Sequence, residues 1–301
     1  MAPTMMIQGA SDQVRQLLQQ LLTADLPVTC VVVPERAEEA PTYQPLVVAS
    51  ALCARLTVRL GTAADYGQAQ WLVLLDQPHA ERPLTEQLAL LRRLTSRVLE
   101  NGFQGQFVFA GNQDQVFTYF AWKFSGIARE RVWGLGTAPL GQLLTARLAE
   151  RLAVSPDSVR TTVIGQASEP IVAWSRTYVG PIPILMYLAN ADGQVSADDL
   201  SQMETWLQRE AAGPLTTLRL VSLISLLRRL LAQQAPIISV THPQAVKPVL
   251  AASSPVLVTP QGLRGLTDLS LAEGEQQAYQ QQLTQMQDTI AALTAAQTEG
   301  K

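Results

Sequence analysis

Phe107 to Thr137 reads FVFAGNQDQVFTYFAWKFSGIARERVWGLGT. Phe107 to Ala110 is a short apolar run that stops at Gly111-Asn112. Val116 to Phe124 then resumes with apolar and aromatic residues at helical spacing, and Gly126 ends it. Arg131 to Gly134 starts another strand-like piece. A strand, a polar turn and a helix form half of a nucleotide-binding α/β unit, with the turn at the carboxyl end of the strand where ligands dock. Many α/β proteins share that half-unit, so it points to a class of fold before it points to a function.

Upstream, Met5 to Gly9 and then Asp12 to Leu22 make MMIQGASDQVRQLLQQLL a strand-turn-helix opening. Val28 to Val33 and Trp71 to Leu75 are further buried strands, and Thr85 to Leu99 is a helix. Arg36 to Pro45 is a charged, proline-marked connection without pattern, and Leu46 to Leu60 mixes helix-like and strand-like features. The succession is that of a parallel sheet covered on both faces. Downstream come a long helix within Gly136 to Val154 and an amphipathic helix, Val195 to Glu210, opened by Ser196. Leu215 to Leu231 is an apolar helix interrupted by Arg219, Arg228 and Arg229. Pro236 to Gly265 offers three short antiparallel strands (IISVT, PVLAASS, PVLVTPQGL), and Ala272 to Ala296 a Gln-rich helix before a frayed tail.

The 301 residues, 47% hydrophobic and 16% charged, suffice for a full core in two lobes. A net charge of -3 offers no broad cationic field, which argues against nucleic acid or an anionic membrane as partner. The start lacks a basic flank followed by a long apolar segment, so the expectation is a cytoplasmic protein. Cys30 and Cys53 sit in apolar surroundings and read as buried small hydrophobes, with no metal-ligand cluster around either.

Two stretches carry a specific resemblance. TYFAWKFSGIARERVWGLGT, and in register with it SVRTTVIGQASEPIVAWSRTYVGPIP from Ser158 to Pro183, are similar to the L-lactate/malate dehydrogenase family, and the chain lines up with it almost end to end. The resemblance implies an α/β fold: a Rossmann-like parallel-sheet domain over 1–137 and an α+β domain over 138–301. It also implies NAD as a possible cofactor and a homo-oligomer, dimer or tetramer. Asn112 falls on the asparagine that contacts nicotinamide and substrate, Thr216 on a substrate-side threonine, and Gly9 on the first glycine of G-x-G-x-x-G. Thr216 also reads as a simple helix cap, and the turn at Gly9 as a plain strand-to-helix connection.

The family's reactive residues are not preserved. Ser11 and Val14 occupy the second and third glycine positions, and Pro34 the acidic residue that binds the adenine ribose, with Glu35 beside it. The proton-shuttling histidine becomes Ala167 in IGQAS. Its orienting aspartate becomes Leu140, and the arginine that grips the substrate carboxylate becomes Leu143. The arginine of the mobile substrate loop becomes Ala80, the loop being several residues short; a shifted register lets Arg82 stand in. Arg147 and Arg151 belong to a solvated face, and His242 to a proline-marked turn far along the second lobe.

The favoured reading is a degenerate dehydrogenase-fold protein without hydride transfer, which binds a small molecule or a partner chain. The alternative is an active NAD-dependent oxidoreductase with an altered substrate and a relocated acid, drawn from Glu169, His79 or Asp114. A binding module with a pocket for another ligand overlaps the first reading.

Overall fold

A computed structural model describes residues 2–78, 80–188, 195–245, 248–266 and 269–299. The first half alternates β1 (Thr4–Gln8), α1 (Ser11–Ala24), β2 (Thr29–Val32), α2 (Ala40–Ala49), β3 (Thr57–Leu60), β4 (Trp71–Leu74), α3 (Leu84–Glu100), β5 (Gln106–Phe109), α4 (Asp114–Ser125) and β6 (Val132–Gly134). These strands pair in parallel in the order β3-β2-β1-β4-β5-β6. All four residues of β4 and of β5 are buried, as a sheet covered on both faces requires.

The second half continues with α5 (Ala138–Leu152), β7 (Val159–Arg160), β8 (Val163–Gln166), β9 (Glu169–Val172), β10 (Tyr178–Val179), β11 (Ile182–Pro183) and α6 (Ile184–Tyr187). Then come α7 (Ala197–Ala211), α8 (Thr216–Leu231), β12 (Ile237–Pro243), β13 (Ala251–Thr259), β14 (Gly262–Arg264) and α9 (Glu273–Glu299). Strand β12 pairs antiparallel with β6 through Thr241 and Gly134, so one sheet path runs on through β13, β8 and β9.

Apolar packing also crosses between the halves. One face of the parallel sheet is covered by Leu17, Leu18 and Leu21 of α1 together with Leu220, Leu223 and Leu227 of α8. The other face carries Leu88, Leu91 and Val98 of α3, Val116 and Phe120 of α4, and Met286 and Ile290 of α9. A third cluster joins Leu140, Leu144 and Leu148 of α5 to Met203 and Leu207 of α7. No single described helix is long and apolar enough to cross a membrane.

Several expectations from sequence need correction. The patternless stretch after Arg36 contains helix α2, with one proline in its first turn and Pro45 inside. Tyr43 is its only buried residue, which leaves little periodicity to read. The second and third strand candidates of the carboxyl region merge into the single strand β13, with Pro255 within it opposite Ser239. A proline inside a strand pattern reads as a boundary. His242 lies on β12 rather than in a turn, Cys53 is only half-buried, and α9 runs on to Glu299 where a frayed tail was expected.

The opening of α7 is as expected. Ser196 Oγ accepts the Asp199 backbone N–H at 3.1 Å, and the Asp199 carboxylate accepts the Ser196 N–H at 2.8 Å, a reciprocal box that closes two orphan donors. Ser196→Ala should lower the unfolding free energy by about 1 kcal/mol, read as a lower urea midpoint at an unchanged m-value.

Candidate functional site

The strand order reverses direction between β1 and β4, and ligands of open α/β sheets bind at the carboxyl ends of the strands at that point. Here the turn after β1 lies hard against the end of β4. Gly9 has φ +144°, and a Cβ placed on it would meet Leu75 Cβ at 2.7 Å and the Asp76 carbonyl at 2.8 Å. The glycine lets the two backbones close up, and the Ala10 N–H donates to the Asp76 carbonyl at 2.7 Å.

Asp76, 8% exposed, gathers the donors of this point. Its carboxylate accepts Gln13 Nε2 at 2.9 Å, the Asn112 backbone N–H at 2.5 Å and Asn112 Nδ2 at 2.8 Å. Arg219 Nη1 donates to the other end of the same amide, Asn112 Oδ1. A continuous chain therefore runs from Arg219 on α8 through Asn112 and Asp76 to Gln13 on α1. Gln113, next to Asn112, is left-handed at φ +51° without being glycine, a conformational cost that the surrounding contacts hold in place.

Arg219 is a functional residue that its sequence context conceals. In sequence it stands with Arg228 and Arg229 as an interruption of an apolar helix, yet those two are exposed while Arg219 is 7% exposed. Its helical phase was the available signal, since Ser222, Leu223 and Leu226 at i+3, i+4 and i+7 are all buried.

Gly9 and Asn112 come together on the wall of one pocket. Ser11 is the first residue of α1, and Val14, 1% exposed, is a core residue rather than a glycine contact. Thr216 is half-buried at the first turn of α8; Leu215, not Thr216, is the N-cap, and no side chain caps that helix. Leu140 is fully buried in the α5–α7 cluster and Leu143 is half-buried. Ala167 is 6% exposed in the turn between β8 and β9. Gln282 of α9 clamps that turn, accepting the Gln166 N–H at 3.1 Å and donating to the Glu169 carbonyl. Gly165, at φ +86°, is where Gln282 fits: a Cβ there would stand 2.1 Å from its Oε1.

Ala80 is exposed and Arg82 reaches the pocket wall. The short connection that carries them is fastened by Gln87 Nε2, which donates to the Ala80 carbonyl at 3.0 Å and the Arg82 carbonyl at 2.8 Å. His79 lies outside the described residues. His242 has Nε2 2.9 Å from Ser254 Oγ, and burial pushes its pKa down to about 4, so it is neutral at pH 7. Arg147 lies over the Trp206 ring, and Arg151 pairs with Asp199 at 3.2 Å. Among the described residues, no group of three or more His, Cys, Asp or Glu is placed to hold a metal ion.

The pocket has a volume of about 430 Å³ and opens at the carboxyl ends of β1, β4 and β5 beneath α3. That lies within the roughly 300–1,000 Å³ of small-molecule sites. Leucines and phenylalanines form its floor, and Arg36, Arg82, Arg93 and Arg97 stand on its rim with Glu35.

The architecture matches solved structures over nearly its whole length. The minor L-lactate dehydrogenase of Enterococcus mundtii, in its ligands-unbound form, superposes with a TM-score of 0.83 at 20% identity, covering 97% of this chain and 98% of that one. The Cryptosporidium parvum lactate dehydrogenase, solved with lactic acid and β-nicotinamide adenine dinucleotide, gives 0.84 at 13% identity, covering 98% of each. The chain has the lactate dehydrogenase fold. Its relatives by sequence are L-lactate dehydrogenases: 25% identity over 229 residues to L-lactate dehydrogenase 2 of Lactococcus lactis subsp. lactis, 68% of each chain. The Geobacillus stearothermophilus enzyme is 36% identical over 121 residues, 38% of this chain and 37% of its own length. No family model matches.

Beside Asn112, on the first turn of α4, lies Asp114, 4% exposed. It accepts the Gly136 N–H at 2.5 Å and Thr241 Oγ1 at 3.3 Å. Burial pushes its pKa up to about 6, against the pull of the Arg219 charge and of these hydrogen bonds. The folded chain thus holds this proton more tightly than the unfolded chain does. Stability from this group grows as pH falls below about 6, is fully present below the unfolded value near 3.8, and is lost as pH rises through 6. The melting temperature of the parent protein should therefore rise by a few degrees relative to Asp114→Asn between pH 7 and pH 5, whereas parallel melting curves across that range would show an ordinary carboxylate.

Proposed function

We propose that this chain is a ligand-binding protein on the lactate dehydrogenase fold that no longer transfers hydride between NAD and a 2-hydroxy acid. The observation that carries this reading is the state of Asn112. Both ends of its amide are engaged, Nδ2 by Asp76 and Oδ1 by Arg219, so the group that should meet nicotinamide and substrate already has protein partners at both ends, although the residue is exposed. Meanwhile the positions of the proton donor and its orienting acid are buried hydrocarbon, Ala167 and Leu140. Loss of a general acid alone costs about 10²- to 10⁴-fold, and losses within one assembly do not simply add.

The residues present do not fit the cofactor in its usual place. Gly9 is taken up by packing against Leu75 and Asp76, Val14 is core, and the Pro34 ring has no hydrogen-bonding group to offer a ribose. The Ala10 N–H of the β1–α1 turn, which a pyrophosphate would need, is already donated to the Asp76 carbonyl, and the Asp76 carboxylate, which accepts the Gln13 amide of α1, opposes a phosphate by its charge. An active oxidoreductase would instead need a relocated acid. Asp114 has a pKa near 6, yet its two oxygens face Gly136 and Thr241; Glu169 is exposed on β9. We take the protein to work in the cytoplasm as a dimer or tetramer of itself, a reading supported by exposed apolar side chains at Val48, Leu52 and Val221.

Purified protein given NADH with pyruvate or oxaloacetate should oxidise NADH no faster than the protein-free blank. Steady reduction of either acid that disappears on Asn112→Ala would overturn the reading.

A further inference from the structure

The opposite ends of the same strands carry a second concavity. A cavity of about 660 Å³ lies at the amino ends of β1, β4 and β5, bounded by the close of α8 and the β13–β14 turn. It shares no lining residue with the pocket beneath α3. Six glutamines, Gln68, Gln70, Gln104, Gln106, Gln233 and Gln261, meet here from four separate segments. Among the described residues of this wall there is no acidic side chain and one cation, Arg131, whose Nη1 donates to the Gln104 carbonyl at 2.9 Å. An amide side chain both donates and accepts, as a hydroxyl group does, whereas a charged guest would call for an opposite charge to replace its water.

The base of the cavity holds an unmet donor. Trp71 and Gln106 are register partners on β4 and β5, so their side chains stand side by side on one face of the sheet, 2% and 3% exposed. The Gln106 amide is committed at both ends: Oε1 accepts Trp133 Nε1 at 2.9 Å, and Nε2 donates to the Pro260 carbonyl at 2.7 Å. Trp133 therefore has its acceptor. Among the described residues Trp71 has none, and its buried Nε1 meets no hydrogen-bond partner. A buried donor left so is costly and calls for a reason. Gln68, Gln70 and Gln104 on the same wall are exposed, and their long side chains can turn aside to admit an acceptor.

From these features we infer that the amino-end cavity binds a neutral sugar, a mono- or disaccharide, whose hydroxyls pair with the glutamine amides and one of whose oxygens accepts the Trp71 N–H. The volume lies within the roughly 300–1,000 Å³ of small-molecule sites, in which an apolar lining is joined by a few polar groups that fix orientation. Trp71, Leu230 and Pro27 supply the apolar part, against which the C–H face of a sugar ring packs. The assignment goes beyond the reading above, since it holds or falls whether or not the chain transfers hydride.

Titration of the full chain with glucose, maltose, glucuronate and glucosamine, followed by calorimetry and by ¹H–¹⁵N spectra, tests the assignment. The spectrum carries one indole N–H signal for each of the five tryptophans, and Trp71→Phe identifies that of Trp71. Glucose or maltose should bind at millimolar concentration or below and move the Trp71 signal, while that of Trp206 on α7 stays in place. Glucuronate and glucosamine put a charge on the same ring and should bind about tenfold more weakly or worse. Gln70→Ala and Gln104→Ala should each weaken sugar binding about fivefold and melt with the parent, since both side chains are exposed. Gln281→Ala, exposed on α9 away from the cavity, should change nothing. A Trp71 signal unmoved by either neutral sugar would show that water alone serves the indole and would overturn the assignment. Equal affinity for the charged sugars, or indifference to both glutamine changes, would overturn it as well, and the glutamine variants keep that test open where Trp71→Phe does not fold.

Discussion

A guanidinium group taken out of water must find partners, because an unpaired buried charge is among the most costly things a protein can contain. Arg219 meets this requirement across the body of the molecule. It reaches from α8 to Asn112 at the end of β5, and through it to Asp76 at the end of β4 and Gln13 on α1. Four elements distant in sequence are thereby fixed at the point where the sheet reverses its order. The apolar contacts of α8 with α1 press the same surfaces together, so the polar chain and the hydrophobic face enforce one arrangement. The field of Arg219 also extends to Asp114, where it opposes the effect of burial.

Leu140 and Ala167 are consistent with one another as packing. A buried aspartate without its histidine, or a buried arginine without its anion, would leave a charge uncompensated. Leu140 is instead absorbed into the α5–α7 cluster, and Ala167 lies in a turn held by Gln282. Around these two residues the structure is apolar interior and turn hydrogen bonds. Charged groups lie instead at the strand ends, with Asp76 and Arg219 on Asn112 and arginines along the pocket beneath α3.

Much of the architecture was legible in the sequence because it rests on short-range regularities. The buried runs WLVL and QFVF announced central strands, and Ser196 with Asp199 announced a helix start. Helix α2 was hidden because it buries a single residue and contains a proline, and β13 was split because Pro255 resembles a boundary. At the site, the motifs give which residues stand at the aligned positions, Ala167, Leu140 and Leu143, but not what each side chain touches. Arg219 could not be assigned a partner, since Asn112 is 107 residues away and only the folded sheet brings them together. The convergence of Arg36 with Arg93 and Arg97 was invisible for the same reason: each is an unremarkable surface cation until the topology places it.

The connection between β4 and α3 has a kinetic consequence. A lid that folds over its guest makes departure wait for opening, and in many enzymes that wait sets the turnover. Here the backbone carbonyls of Ala80 and Arg82 are tied to Gln87 Nε2, so a hinge movement of this connection would have to break two hydrogen bonds before it could begin.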